Sequence, residues 1–357
     1  MFPVRTWRKM VNDVLGTDAG SFCKYGDPQG EYGPRLVLSD YLRKARGVVC
    51  SPEQIVIGAG ISYSFGLLTK LLAGIRHVAV EEPGFAPVRK HFTLNGFELV
   101  SVPVHEKGLS LEELERSPAQ AVYLTPSHQF PTGGVMPYAE REHLLRWADE
   151  RNAYIIEDDY DGEFRYFGKP IPSLQSLDRN GRVIYIGTFS KAFTPALRMN
   201  YMVLPADLPD RLQSLHHLLM SPSRIDQLAM QRFIEEGHWY RHIRRMRNAY
   251  RKKHGRLIEP LQVHFGNHID ITGHSAGLHI QVTVRTRSSA EELLERAAAE
   301  GVRIYDLRHT WVSPQRSGYP KVYLGFGGIT EADMETGVRS LSKAWSGLLE
   351  EAPERPL

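Results

Sequence analysis

Lys191 closes the run Gly187-Thr188-Phe189-Ser190-Lys191, and Arg198 follows seven residues later. The run comes directly after an apolar stretch, Val183-Ile184-Tyr185-Ile186, that reads as a buried strand. One amine, two hydroxyls and a guanidinium are thereby grouped at a single strand end. The amine can form a Schiff base with an aldehyde, while the hydroxyls and the guanidinium hold an anion nearby. A phosphate-bearing aldehyde satisfies both halves, and pyridoxal 5′-phosphate is the common one. A lysine after a strand is by itself most often a solvated charge, so the reading rests on the residues that accompany it.

Glu157-Asp158-Asp159-Tyr160-Asp161-Gly162-Glu163-Phe164 follows another apolar run. A carboxylate held against a pyridine nitrogen keeps that nitrogen protonated, which makes the ring an electron sink. Asp158 suits that role, and Tyr160, two residues on, can hydrogen-bond the ring's 3′-oxygen. Acid-rich loops after strands also serve as caps or metal sites. Two adjacent aspartates without a nearby histidine cluster make a metal the weaker reading, and none is expected. The turn Gly58-Ala59-Gly60-Ile61-Ser62 opens a helical pattern after a strand and offers backbone N–H groups and a dipole to a phosphate. Phe85, in Glu82-Pro83-Gly84-Phe85, can stack on a flat ring or serve as a core aromatic.

The elements that must position these residues alternate along the chain. Ile55 to Gly58, His77 to Val80, Glu98 to Ser101, Ala121 to Leu124, Tyr154 to Glu157, Val183 to Ile186 and Asn200 to Val203 read as strands, with helical patterns such as Ser64 to Ala73 between them. Such alternation predicts an α/β fold with a mostly parallel sheet covered on both faces. Ligands then sit at the carboxyl ends of strands, where the candidates fall. From Ser221 to Leu261 one or two long helices are expected. Their Arg-rich run reads as the solvated face of an amphipathic helix, because Trp239, Ile243, Met246, Tyr250 and Leu257 recur at helical spacing. Strands at His279 to Val284 and Val322 to Phe326, with helices at Ala290 to Gly301 and Glu331 to Leu348, predict a smaller α+β domain. The expected division is residues 1–45 packing with the small domain, 46–220 forming the cofactor-binding large domain, and 221–357 forming the connecting helix and small domain.

Composition narrows the class. The 357 residues are 42% hydrophobic and 24% charged, with a net charge of +3 and two cysteines, Cys23 and Cys50. This is the balance of an ordinary globular chain, with no general case for nucleic-acid or membrane binding. Two cysteines without metal spacing fit a reducing, cytoplasmic setting. The start, Met1-Phe2-Pro3, runs at once into a helical segment carrying Trp7. It reads as a cut inside a longer protein with Met1 added at the cut, or as a native short N-terminus.

The order of Gly-Ala-Gly turn, Glu-Glu-Pro-Gly-Phe, Thr-Pro-Ser-His-Gln-Phe-Pro-Thr-Gly, Glu-Asp-Asp-Tyr-Asp-x-Glu-Phe and Gly-Thr-Phe-Ser-Lys resembles fold-type I pyridoxal-phosphate enzymes of the aminotransferase class. More narrowly it is similar to the aminotransferase-like domain of MocR/GabR regulators, a branch of the GntR transcription factors, over essentially the whole chain. The resemblance implies that Lys191 carries the internal aldimine, that Asp158 pairs with the pyridine nitrogen, and that Tyr160 meets the 3′-oxygen. It implies phosphate binding by Thr188, Ser190, Arg198 and the Gly60-Ile61-Ser62 turn, with Phe85 stacked on the ring. Tyr25 matches a tyrosine that reaches a phosphate across a homodimer interface. DNA would be bound only by a winged helix-turn-helix domain absent from this chain.

The departures from the aminotransferase pattern shape the expected function. Phe130 stands where ordinary aminotransferases carry an asparagine bonded to the 3′-oxygen; Gln129 or His128 is the expected substitute. Tyr323 stands where an arginine forks onto the substrate carboxylate, for which Arg308 and then Arg89 are the alternatives. Ala86 or Pro87 replaces an arginine that frames γ-aminobutyrate in responsive relatives, which argues against that effector. The expectation is a sensor in which a small amine forms an external aldimine in place of Lys191. A genuine amino-acid aminotransferase is the alternative, and a lyase or racemase of the same fold a third reading.

Overall fold

The alternating runs assemble into one eight-stranded sheet in the computed structural model, which describes residues 2–17, 19–167, 171–273, 275–313 and 318–350. Its strands are β1 (Ile55–Gly58), β2 (His77–Glu82), β3 (Glu98–His105), β4 (Gly108–Leu109), β5 (Ala121–Leu124), β6 (Tyr154–Asp158), β7 (Val183–Thr188) and β8 (Asn200–Val203). They lie in the order β1-β8-β7-β6-β5-β2-β3-β4. The centre, β3-β2-β5-β6-β7, is parallel throughout. At the edges, β8 runs antiparallel to both β7 and β1, and β4 antiparallel to β3.

β1, β5, β6 and β8 are buried along their whole length, as strands covered on both faces must be. Successive side chains point to opposite faces. Tyr123 and Ile156 therefore join Phe65, Leu68 and Val80 in one core, while Val122 and Ile155 join Leu144 and Trp147 in another. Covering helices include Ile61–Leu71, Ala86–Leu94 and Tyr138–Arg151.

A second, all-antiparallel sheet has the order β11-β12-β10-β9, from β9 (Ile269–Thr272), β10 (His279–Val284), β11 (Tyr305–Asp306) and β12 (Lys321–Gly325). Two helices, Ala290–Ala299 and Glu331–Trp345, pack with it through Leu293, Ala297, Val338, Leu341 and Trp345. The sequence reading lacked β4, β9 and β11. The first and last hold two residues each, too few to show a period, and β9 reaches full burial only at Ile269.

The helix His238–Phe265 buries Trp239, Ile243, Met246, Tyr250, Leu257 and Leu261 on one face. Arg241, Arg244, Arg245, Arg247 and Arg251 face solvent. The helices Val4–Thr17 and Tyr32–Arg46 pack against Arg224–Glu235, so Met10, Val14 and Leu38 share a core with Met230 and Phe233.

Candidate functional site

Strand register brings the candidates together at one edge of the large sheet. Gly58 pairs with Asn200, Asn200 with Thr188, and Asp158 with Ile186 two residues before Thr188. The ends of β1, β6 and β7 and the start of β8 therefore lie side by side. No single segment contains this juxtaposition.

Gly60 caps the helix Ile61–Leu71 with φ +98°, a conformation that glycine adopts without penalty. A Cβ on Gly60 would run into the guanidinium of Arg198. The Gly60 N–H donates to Asn200 Oδ1 at 3.0 Å, and Asn200 Nδ2 donates to Ser64 Oγ at 2.8 Å, which fixes the turn to β8. The N–H groups of Ile61 and Ser62, in the first helical turn, have no intrahelical acceptor and sit at the positive end of the dipole. Across the β8–β7 pairing, Thr188 Oγ1 accepts from the Ser190 N–H at 3.1 Å and caps the short helix Phe189–Ala192 that carries Lys191. Gly187 is obligatory here, since a Cβ would collide with the Tyr201 ring on β8.

Asp158 ends β6 at 7% exposure. Tyr123, from β5, donates its hydroxyl to Asp158 Oδ2 at 2.7 Å. Burial pushes the Asp158 carboxyl up to about 7, with Asp159 and Asp161 adding repulsion and Lys191 opposing it. A cation placed against this carboxylate restores its ionised form, so the site fits a protonated pyridine ring. The next residue does different work. Asp159 accepts from Arg46 Nε at 2.6 Å and from Tyr185 Oη at 2.6 Å, and Arg46 Nη2 donates to Ser127 Oγ at 3.0 Å. That buried pair ties the helix Tyr32–Arg46 to the loop.

Tyr160 donates to the His128 carbonyl at 3.0 Å, and its hydroxyl lies 3.1 Å from His128 Nδ1. His128 Nδ1 is 2.8 Å from Asp161 Oδ2. Gly277 allows this cluster to close, because a Cβ there would overlap the His128 ring. His279, from β10, packs beside His128 with tilted rings whose centroids are 4.8 Å apart, and the Lys191 charge reaches it. A cavity of about 650 Å³ borders the His128–Asp161 pair and is rimmed by Lys44, Arg46, Arg244 and Arg247.

The remaining candidates divide. Phe85 meets Phe130 edge-on at 5.7 Å. Tyr25 stands clear of its own chain at 106% exposure. Gln129, an expected stand-in for the missing asparagine, is instead engaged by its own loop and by the Pro83 turn. Its amide donates to the carbonyls of Pro83 and Phe130, both at 2.8 Å, and accepts from Thr132 N at 3.0 Å and Oγ1 at 2.7 Å. Arg89 donates to the carbonyls of His309, Thr310 and Trp311, so it braces the segment after β11 and is not open to a carboxylate. Arg308 is exposed and paired with Glu291 and Asp306. Both arginines thus already have partners within the chain. Sequence reading also missed Tyr123, Asn200 and His279. Tyr123 had one visible signal, a hydroxyl within an otherwise apolar strand.

Residues 2–340 match the model of the family described as aminotransferase class I and II. The chain is 42% identical over 350 residues to YhdI of Bacillus subtilis, an uncharacterized helix-turn-helix-type transcriptional regulator, covering 98% of this chain and 74% of that protein. It is 33% identical over 355 residues to MocR of Rhizobium meliloti, a probable rhizopine catabolism regulatory protein, covering 97% and 70%. Among solved structures, Pyrococcus horikoshii kynurenine aminotransferase superposes with a TM-score of 0.87 at 25% identity, covering 97% of this chain and 88% of that one.

Proposed function

We propose that this chain, which belongs to the aminotransferase class I and II family and within it to the regulators of MocR type, is the effector-sensing domain of a transcriptional regulator. Its cofactor is pyridoxal 5′-phosphate, which supplies an aldehyde that joins primary amines reversibly. Lys191 holds the cofactor covalently. Asp158, aimed by Tyr123, holds the pyridine proton, and Tyr160 meets the 3′-oxygen. Thr188, Ser190 and Arg198 hold the phosphate together with the Gly60 turn and the N–H groups of Ile61 and Ser62, while Phe85 covers the ring. Tyr25 reaches the phosphate of the second copy in a homodimer.

The effector is a small primary amine that takes the place of Lys191. A strap links the site to the second sheet: Gly84 N–H donates to Thr310 O at 2.9 Å, and Val312 and Ser313 N–H both donate to Glu82 Oε1 at 2.8 Å. Release of Lys191 changes the balance of contacts between the two sheets, and a DNA-binding domain outside this chain reads the change. DNA is contacted only through that domain. No helix among the described residues is long and apolar enough to cross a membrane.

The observation that carries this reading is the missing carboxylate fork. Tyr323 occupies its place, and Arg89 and Arg308 are engaged elsewhere. Efficient amino-acid turnover needs that cation. The rival, a genuine aminotransferase, is favoured by the complete set Lys191, Asp158 and Tyr160.

Two measurements test the proposal. Lys191→Ala should abolish the visible absorbance of the lysine-bound cofactor, and its persistence would remove Lys191 from the role. Single-turnover assays with amino acids should yield little keto acid, whereas release at ordinary enzymatic rates would establish the rival.

A further inference from the structure

Two imidazoles in this site each carry a nitrogen with nothing to bond. Nε2 of His128 and Nε2 of His279 are buried and have no partner among the described residues, although the rings lie 4.8 Å apart. Buried polar atoms are nearly always hydrogen-bonded, so an orphaned pair beside a ligand site points to a ligand group. His279 packs against Tyr323 with tilted rings at 4.7 Å and meets Phe130 edge-on at 5.7 Å.

Apart from Lys191, whose charge reaches His279, the groups packed against the two imidazoles carry no positive charge of their own. The Asp161 carboxylate accepts from His128 Nδ1, so the pair is neutral with an imidazolium and carries one negative charge without it. Burial holds His279 well below its usual range, which leaves it uncharged near neutral pH. The phenol of Tyr323 is pushed up to about 12 by burial and is likewise neutral. A carboxylate taken out of water against Asp161, His279 and Tyr323 finds no counter-charge among them. A hydroxyl or a carboxamide offers both a donor and an acceptor, which suits two imidazole nitrogens in either tautomer. His128, Asp161 and His279 also lie within 4.8 Å of one another as a candidate metal group. With His128 Nδ1 taken by Asp161, however, the two Nε2 atoms fall short of the four ligands of a closed zinc site.

We infer that the amine displacing Lys191 carries an uncharged polar head, a hydroxyl or carboxamide, read by His128 and His279. This rests on the sensor reading above. The test titrates the cofactor-loaded protein with four amines of one length: 3-aminopropan-1-ol, β-alaninamide, β-alanine and n-propylamine. Loss of the lysine-bound absorbance gives four apparent dissociation constants. The alcohol and the amide should bind about tenfold or more tightly than β-alanine and propylamine, the size of one well-made buried hydrogen bond. His279→Phe should bring the alcohol and amide to the level of propylamine, while propylamine itself changes less than about twofold; His279→Gln should keep part of the preference. If β-alanine ranks first in the unsubstituted protein, the inference is overturned whatever the variants do. An unchanged ranking in folded His279→Phe overturns the assignment to His279. If none of the four, propylamine included, displaces Lys191, the sensor reading itself fails and this inference with it.

Discussion

Tyr123 Oη donates to Asp158 Oδ2 at 2.7 Å, so the carboxylate that ends β6 is aimed by the neighbouring strand rather than by its own loop. The bond stabilises the charged form against burial, which otherwise dominates and lifts the Asp158 carboxyl to about 7. Tyr123→Phe removes the donor and leaves the carboxylate more reluctant to ionise. Cofactor affinity should fall by about three- to tenfold, the worth of one hydrogen bond, measured by absorbance titration at pH 7.5. An unchanged affinity would show that Asp158 does not depend on Tyr123.

Asp158 is not the only carboxyl lifted by burial: Glu81 rises to about 8 and Glu163 to about 7. A group whose folded pKa is raised binds its proton more tightly in the folded state. Its contribution to stability is greatest below the unfolded value, near 4, and declines as pH rises through the folded one. The cofactor-free protein should therefore melt at a lower temperature at pH 8.5 than at pH 5.5. Asp158→Asn removes one such group and should make the decline shallower. Calorimetry across this range decides, and a melting temperature that rises with pH would count against the burial account.

The close approach of Gly60 and Arg198 makes a sharper test of phosphate binding. Gly60→Ala places a Cβ against the guanidinium and strains a backbone at φ +98°. Arg198→Ala removes a charge-assisted contact worth about 1.5–3 kcal/mol, or about 10- to 100-fold in the cofactor dissociation constant. Both variants should weaken binding, and the losses should be less than additive, because part of the Gly60→Ala effect acts through the same guanidinium. Full additivity would mean that Gly60 acts in another way.

Arg46 and Asp159 form an ion pair at 2.6 Å with side chains 9% and 2% exposed. Breaking a buried pair from one side leaves an uncompensated charge and costs about 3–5 kcal/mol. Asp159→Asn alone should destabilise the fold by that order in urea. Arg46→Met with Asp159→Asn should recover part of the loss. A double variant as unstable as the sum of the singles would contradict the pairing.

Tyr25 has no packing role in its own chain that would explain its position. Tyr25→Ala should leave the melting temperature of the cofactor-free protein nearly unchanged while weakening cofactor binding. Mixing Tyr25→Ala with Lys191→Ala subunits should restore one intact site per mixed dimer, read as partial recovery of the lysine-bound absorbance. No recovery in dimers confirmed by sedimentation would place Tyr25 outside the site.

Local pattern made much of this protein legible. The seven runs read from Ile55 to Val203 all became strands; in β1, β5, β6 and β8 burial on both faces writes itself as an unbroken hydrophobic run. Lys191, Asp158, Tyr160 and the Gly60 turn were recognisable because each lies just after such a run, where a strand hands its last side chain to the sheet edge. Boundaries moved where backbone geometry decided them: the helix expected from Ser64 begins at Ile61, directly after the positive φ of Gly60.

Other features have no local signature. Asn200 reads as the first residue of a strand, and only the antiparallel pairing of β8 with β1 and β7 sets its amide against the Gly60 N–H. Arg308 and Arg89 looked available because a guanidinium has no visible partner in a one-dimensional chain. Folding supplied Asp306 and Glu291 to one and three carbonyls to the other. The sequence by itself determined the long strands, the residue types at their ends and the absence of an arginine at position 323. Tertiary structure alone decided which polar groups satisfy one another, and so which, like the Nε2 atoms of His128 and His279, have no partner among the described residues. The reason is physical: burial is encoded by periodicity along the chain, whereas bonds such as Asn200 to Gly60 and Tyr123 to Asp158 depend on contacts between residues far apart in it.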